Sequence, residues 1–293
     1  MKMIRAARRM KDSLLLNLAR SRPNELSVPH LGTRVRTLPL ERFYAAFKAV
    51  KTTDEVEGLA LKYIKGATER VEPSERDVSD AARAYFALKK IVEAERADAI
   101  MMDCLPGLKK PHKHVPPCMG FMSLRDEGIP AGCQSDLNGT LTMMLVQELF
   151  DKPGFQQNSS VQTEANNFFG AHCTSASKMK GTDGPAEPYI LRSHNEAGWG
   201  CVPQVLFPAG QEVTMALYYS AKTPQMLIYS GEVVRCYPKA PGGCRTNVEM
   251  TINELADPCD VKGESHEHLV IFYGNHSRQL RTFCQLYGIQ ATC

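Results

Sequence analysis

The chain has 293 residues, 43% of them hydrophobic and 23% charged, with a net charge of +3. That is the make-up of an ordinary globular protein with room for two domains. The charge is too small to point to nucleic acid, there is no basic stripe interleaved with aromatics, and no apolar run approaches the ~18–20 residues that span a bilayer.

The ten cysteines are few for this length and form no CxxC pair. Cys104, Cys133, Cys201 and Cys284 sit singly within apolar stretches, so they read as buried free thiols of a cytoplasmic protein. The apolar "SLLLNLA" (13–19) is too short for a secretory core. The basic residues of the first twenty positions read as a solvated helix face.

In chain order, 1–10 has helical spacing, 13–19 looks like a core strand and 33–40 alternates like a second one. Helical segments follow at 41–50 and 54–68. Ser74 and Asp77 make a capping box for a helix whose inner face is Val78, Ala81, Ala82, Tyr85, Leu88 and Val92. "ADAIMMDC" (97–104) has the continuous apolar character of a buried parallel strand. A helix over 118–127 leads to a strand at 129–133. Asp136 then caps a helix with Leu137, Leu141, Met144, Leu145 and Leu149 inside.

Strand and helix in this rhythm predict an α/β, doubly wound parallel-sheet domain over 1–152, with ligands beyond the carboxyl ends of its strands. From 153 to 293 the texture is that of short strands between Gly, Pro and Asn turns, which predicts a C-terminal antiparallel β-rich, barrel-like domain. "HLVIFYG" (268–274) and the helix after it read as a return to the α/β style, closing the first domain.

Several stretches taken together, "AARAYFALKKIVEAERADAIMMDC", "PPCMGFMSLRDEGIPAGCQSDLNGTLTMML", "PGFQQN", "NNFFGAHC" and "HLVIFYGNHSRQLRTFCQLYGI", resemble the L-fucose/L-arabinose isomerase family. The likeness is to that family's middle and C-terminal domains, with no counterpart of its preceding α/β domain. It implies aldose–ketose isomerisation through an enediol on a small-molecule carbohydrate. It also implies a divalent metal, Mn2+ foremost, and a homo-oligomer, a trimer or hexamer.

Carried over position by position, the resemblance puts Gln134 where the family presents a glutamate, and Gln157 or Asn158 where it presents a second acid. It puts His172 and His268 (or nearby His266) at the metal-binding imidazoles. A glutamine amide is neither base nor anion, and hard-ion affinity depends strongly on ligand charge. Either no metal binds, or the charge comes from elsewhere. Asp136 is one source, unless it serves only as a cap, and Glu164 is another, unless it is a solvated loop residue.

Other clusters invite a function. Arg192, His194 and Trp199 read as a substrate wall or as ordinary packing. Lys109, Lys110, His112, Lys113 and His114 form a loop that either binds an anion or is merely solvated. Cys104, Cys133 and Cys173 with His172 offer a soft metal site or buried thiols. Cys173 is next to His172, but strand neighbours point to opposite faces. The first reading is therefore an isomerase-like sugar enzyme, and the alternative is a non-catalytic sugar-binding pseudoenzyme.

Overall fold

The computed structural model describes residues 1–109, 111–240, 242–261 and 268–293. Helix α1 (Lys2–Asp12) leads into β1 (Leu14–Ala19), β2 (Asn24–Ser27) and β3 (Arg34–Pro39), followed by α2 (Glu41–Ala49) and α3 (Asp54–Gly66). A two-residue strand β4 (Glu69–Arg70) precedes the long α4 (Glu75–Glu95), then come β5 (Ala99–Met102), α5 (Leu105–Leu108), α6 (Cys118–Asp126), β6 (Ala131–Cys133) and α7 (Leu137–Phe150). The expected capping box is present: Ser74 Oγ accepts from Asp77 N, and Asp77 Oδ2 accepts from Ser74 N. Each bond satisfies a backbone donor that a helix start otherwise leaves orphaned.

These strands form one sheet in the order β2-β3-β1-β5-β6, parallel except for the β2 edge. The polar, fully exposed "NELS" of β2 carries no burial pattern, which is why no strand is expected there from sequence. Alternation along β1 sends Leu14, Leu16 and Leu18 to a core shared with α2, α4 and α6, and Leu15 to the opposite core with α1 and α7.

The second half begins with β7 (Phe155–Gln162), β8 (Asn167–His172), β9 (Tyr189–Arg192) and β10 (Val202–Val205). It continues through β11 (Glu212–Tyr219), β12 (Gln225–Arg235), β13 (Thr246–Met250), β14 (His268–Tyr273), α8 (Ser277–Leu286) and β15 (Gln290–Thr292). The order β11-β14-β7-β8-β13-β12, with β12 returning to β11, closes a six-stranded antiparallel barrel, and β15 adds to it in parallel. Closure removes the exposed strand edges that an open sheet would leave.

One expectation is corrected here. The segment 268–273 does not close the parallel sheet but lies in the barrel wall between β11 and β7. Its odd residues, Leu269, Ile271 and Tyr273, fill the barrel. Its even ones, Val270 and Phe272, pack outward against α7. A strand covered on both sides is apolar throughout in either setting.

Helix α7 lies between the two sheets. It is buried on nearly all sides, by β5 and β6 on one flank and by β11 and β14 on the other. Its N-terminus is thereby brought to the rim of the barrel. Among the described residues no helix is long and apolar enough to cross a membrane.

The loop after β5 is more deeply packed than its charges suggest. His114 is 2% exposed, stacked on Tyr44 and edge-on to Phe43, so it is not part of a solvated anion-binding loop. Burial pushes its pKa down to about 4, against the bond between its Nδ1 and Val115 O. The unfolded chain therefore binds one more proton at this position between about pH 6.5 and pH 4. Stability is expected to be full above that window and to fall as the pH drops through it, by about 1.4 kcal/mol per pH unit for this one proton. Urea midpoints across pH 4–8 check this, and His114→Gln should flatten the slope by about one proton.

Candidate functional site

The turn from β6 into α7 carries the sequence Cys133-Gln134-Ser135-Asp136. Gln134 and Ser135 both take left-handed backbone angles, φ 57° and 53°. For non-glycine residues this costs roughly 1–2 kcal/mol each, so the surrounding packing holds the turn in place. Asp136 N donates to Cys133 O at 3.1 Å and closes it.

Asp136 has two tasks. Its Oδ1 accepts from Gly139 N at 3.0 Å, the expected helix cap. Its Oδ2 lies 3.1 Å from His268 Nδ1 and 3.2 Å from Gln156 Nε2. One carboxylate thus caps the helix and at the same time faces Gln156 and His268.

Gln156 is fully buried and ties the turn to the barrel. Its Oε1 accepts from Cys133 N at 2.9 Å, and its Nε2 donates to Cys133 O at 3.2 Å as well as to Asp136. Both amide hydrogens are thus spent on oxygens. His268 Nδ1, 3.1 Å from the same nitrogen, is therefore best satisfied as a donor to Asp136. That places the proton on Nδ1 and leaves a lone pair on Nε2.

His172, at the end of β8, meets His268 edge to face with ring centroids 5.2 Å apart. Both imidazoles are nearly buried, at 4% and 3% exposure, while Asp136 keeps 14% of its side chain open to solvent. Burial, reinforced by the neighbouring His268, pushes the His172 pKa down to about 3, so the ring is neutral. Its Nδ1 is buried without a hydrogen-bond partner. Such an orphan calls for an explanation, and a ligand is one.

The remaining expected residues fall elsewhere. The Gln134 side chain is exposed at the ends of β1, β5 and β6, and no hydrogen bond joins it to either imidazole among the described residues. Asn158 pairs with His268 in strand register, but its side chain is exposed. Gln157 points into the barrel toward Met215. The amide beside the histidines is instead Gln156, one position earlier, and a one-residue shift along a strand exchanges its two faces. Glu164 is exposed at the β7–β8 turn. His266 and Lys110 lie outside the described residues.

Arg192 is not a free substrate wall: its Nε and Nη2 bond Glu72 and its Nη1 bonds Gln204, so the buried guanidinium is held in an ion pair with the more exposed Glu72. Trp199 packs on His112, ring centroids 4.4 Å apart, with its indole nitrogen buried and without a partner. His194 Nδ1 accepts from Ala197 N, and the imidazole is in contact with Cys173.

Five of the thiols fall in two groups. Cys104 bonds Cys133, whereas Cys173 packs with Cys118 and Cys244. Cys173 pairs with His194 rather than with its sequence neighbour His172. The bond from Cys244 holds its thiol well below the usual range, burial opposes this, and His194 adds to the lowering. All ten cysteines are free.

Among the described residues no three His, Cys, Asp or Glu side chains are disposed to hold a metal ion. Asp136 is engaged by the helix end and by His268, and the group beside them is the neutral Gln156. As arranged, these donors do not fit the divalent ion that the resemblance implies. What they do form is a carboxylate–imidazole dyad with a neutral imidazole facing it.

No family model matches the chain. It is 24% identical over 260 residues to a protein named sulfoquinovose isomerase from Priestia aryabhattai, an alignment that takes in 85% of this chain and 55% of the relative. The same figures hold for the sulfoquinovose isomerase of Priestia megaterium (strain ATCC 12872 / QMB1551). The chain spans about half the length of the curated relatives it matches. Distantly, and over most of its own length, it is similar to a sugar isomerase.

Proposed function

We propose that this chain carries a sugar-isomerase-like site that moves a proton between adjacent carbons of an aldose, with the Asp136–His268 dyad as base and His172 as its neutral partner. The observation that supports it most is the hydrogen bond from His268 Nδ1 to Asp136 at 3.1 Å, beside an unpartnered His172.

The steps balance as follows. His268 Nε2 takes the proton from C2 of the open-chain aldose as the carbonyl oxygen O1 gains one from His172. This gives a neutral enediol, a transient His268 imidazolium that Asp136 stabilises and a transient His172 imidazolate, so the charges balance. His268 then returns its proton to C1 while the O2 hydroxyl gives its proton to His172. A ketose leaves and both histidines are restored. The low pKa of His172 keeps it a hydrogen-bonding acid rather than a fixed cation.

The test is deuterium incorporation from D2O at C1 or C2 of pentoses, 6-deoxyhexoses and sulfoquinovose, followed by NMR with and without chelator and with Mn2+ added. Exchange that survives the chelator supports the dyad, and strict dependence on the ion assigns the chemistry to a metal. If no sugar exchanges even at saturating Mn2+, isomerisation is rejected. Sedimentation of the same protein tests the homo-oligomer. The non-catalytic alternative rested on the amides at 134 and 158 and finds no support in the comparisons, whose relatives are named as isomerases.

A further inference from the structure

Beside the dyad, three parallel strands end at one open cavity of about 510 Å3, lined by Ala19, Arg20, Ser21, Asp103, Gln134 and Ser135. Its position follows from the topology. From β1 the chain moves to β3 on one side of it and later returns to β5 on the other, so the crevice between the ends of β1 and β5 is a switch point. Helix connections diverge at such a point and leave the strand ends uncovered.

The lining has a definite chemistry. Arg20 Nε donates to Asp103 Oδ2 at 3.3 Å. Among the described residues this is the hydrogen bond that the two side chains make, so Asp103 Oδ1 and both Arg20 Nη groups remain to bind something else. Opposite them stand the exposed Gln134 amide, able both to donate and to accept, and Ser135, whose Oγ is closed off from solvent without a hydrogen-bond partner. Both of these residues belong to the left-handed turn that also fixes Asp136.

We infer that this cavity binds the hydroxyl-bearing tail of an open-chain sugar, with the Asp103 carboxylate and Arg20 guanidinium clamping a vicinal diol and the exposed Gln134 amide completing its hydrogen bonds. A carboxylate accepts two hydroxyl protons while a guanidinium fork donates to their oxygens. The opposite charges of the pair offset one another, so a neutral polyol suits the cavity better than an anion. Gln134 then binds substrate, although it cannot act as a base. The inference rests on the isomerase reading for the reaction it serves, but polyol binding can be measured apart from turnover.

The experiment is calorimetric titration of the whole chain with ribitol, arabinitol, galactitol and sorbitol, which carry the tail but no carbonyl and cannot react. Wild type is expected to bind at least one of them. Asp103→Asn and Arg20→Met should each weaken that binding on the order of tenfold or more, because each removes a charge-assisted contact. Thermal melts check that both variants fold, and the Gln134 side-chain amide resonance should shift on titration of the wild type.

Equal binding by wild type and both variants overturns the inference and leaves the isomerase reading in place. Proton exchange in an aldose with no alditol binding, and with KM unchanged in Asp103→Asn, also overturns it alone. Alditol binding lost in both variants, in a protein that exchanges no sugar proton, upholds the subsite and rejects the isomerase reading. A folded wild type that binds neither alditol nor aldose overturns both.

Discussion

Asp136→Asn is expected to lower turnover of any aldose the protein isomerises by about 10²–10⁴-fold, while leaving its melting temperature nearly unchanged. The two effects separate because the carboxylate has two oxygens with different partners. Asparagine caps a helix about as well as aspartate, so the bond to Gly139 N persists. An amide, however, neither stabilises an imidazolium nor reliably holds the His268 Nδ1 proton in place.

Asp136→Ala should lose the cap as well, at a cost of about 1 kcal/mol in stability. Gly139→Ala provides an independent check, since a Cβ there would lie 2.2 Å from Asp136 Oδ2 and must displace it. If the asparagine variant kept full activity, Asp136 would be a cap and nothing more, and the dyad would be abandoned.

The largest loss of stability is expected for Arg125→Ala, about 3–5 kcal/mol, or on the order of 10 °C in melting temperature. Arg125 is 1% exposed. Its Nε and Nη2 donate to Ala131 O at 2.8 and 2.5 Å, and its Nη1 donates to Thr174 O at 3.3 Å. It staples β6 to the segment after β8 and so holds the two halves of the site together. Among the described residues it has no carboxylate within salt-bridge distance, and burial lowers its pKa.

Removing the guanidinium strands two buried carbonyl groups and opens a cavity, both costly in a packed interior. Arg125→Met keeps most of the volume and should lose less, chiefly the hydrogen-bonding share. Urea denaturation of the three proteins decides the matter. A loss under about 1 kcal/mol for the alanine variant would mean that water replaces the staple.

Local signals were the legible ones. The Ser74–Asp77 box, the Asp136 cap and the continuous apolar runs of β1 and β5 act within a few residues, and the structure contains each of them. The misplacements all involve a choice of neighbour. "HLVIFY" is apolar on both faces, which suits a covered parallel strand and a barrel wall packed on α7 equally well. In "FQQN" the three positions after Phe155 are all polar, so no hydrophobic alternation among them tells which amide turns toward the histidines. The Arg192–Glu72 pair spans 120 residues, and nothing near either residue announces it.

Taken alone, then, the sequence determined the succession of strands and helices, the change from a parallel to an antiparallel half, and the histidines and aspartate at the strand ends. These follow from periodicity, capping and turn chemistry, which are short-range. Only the tertiary structure decided that β14 belongs to the barrel, that Gln156 rather than Gln157 joins His268, and that Gln134 faces the β1–β5 crevice. The physical reason is that side-chain direction alternates with every residue of a strand, while the partner strand is chosen by packing across the whole chain.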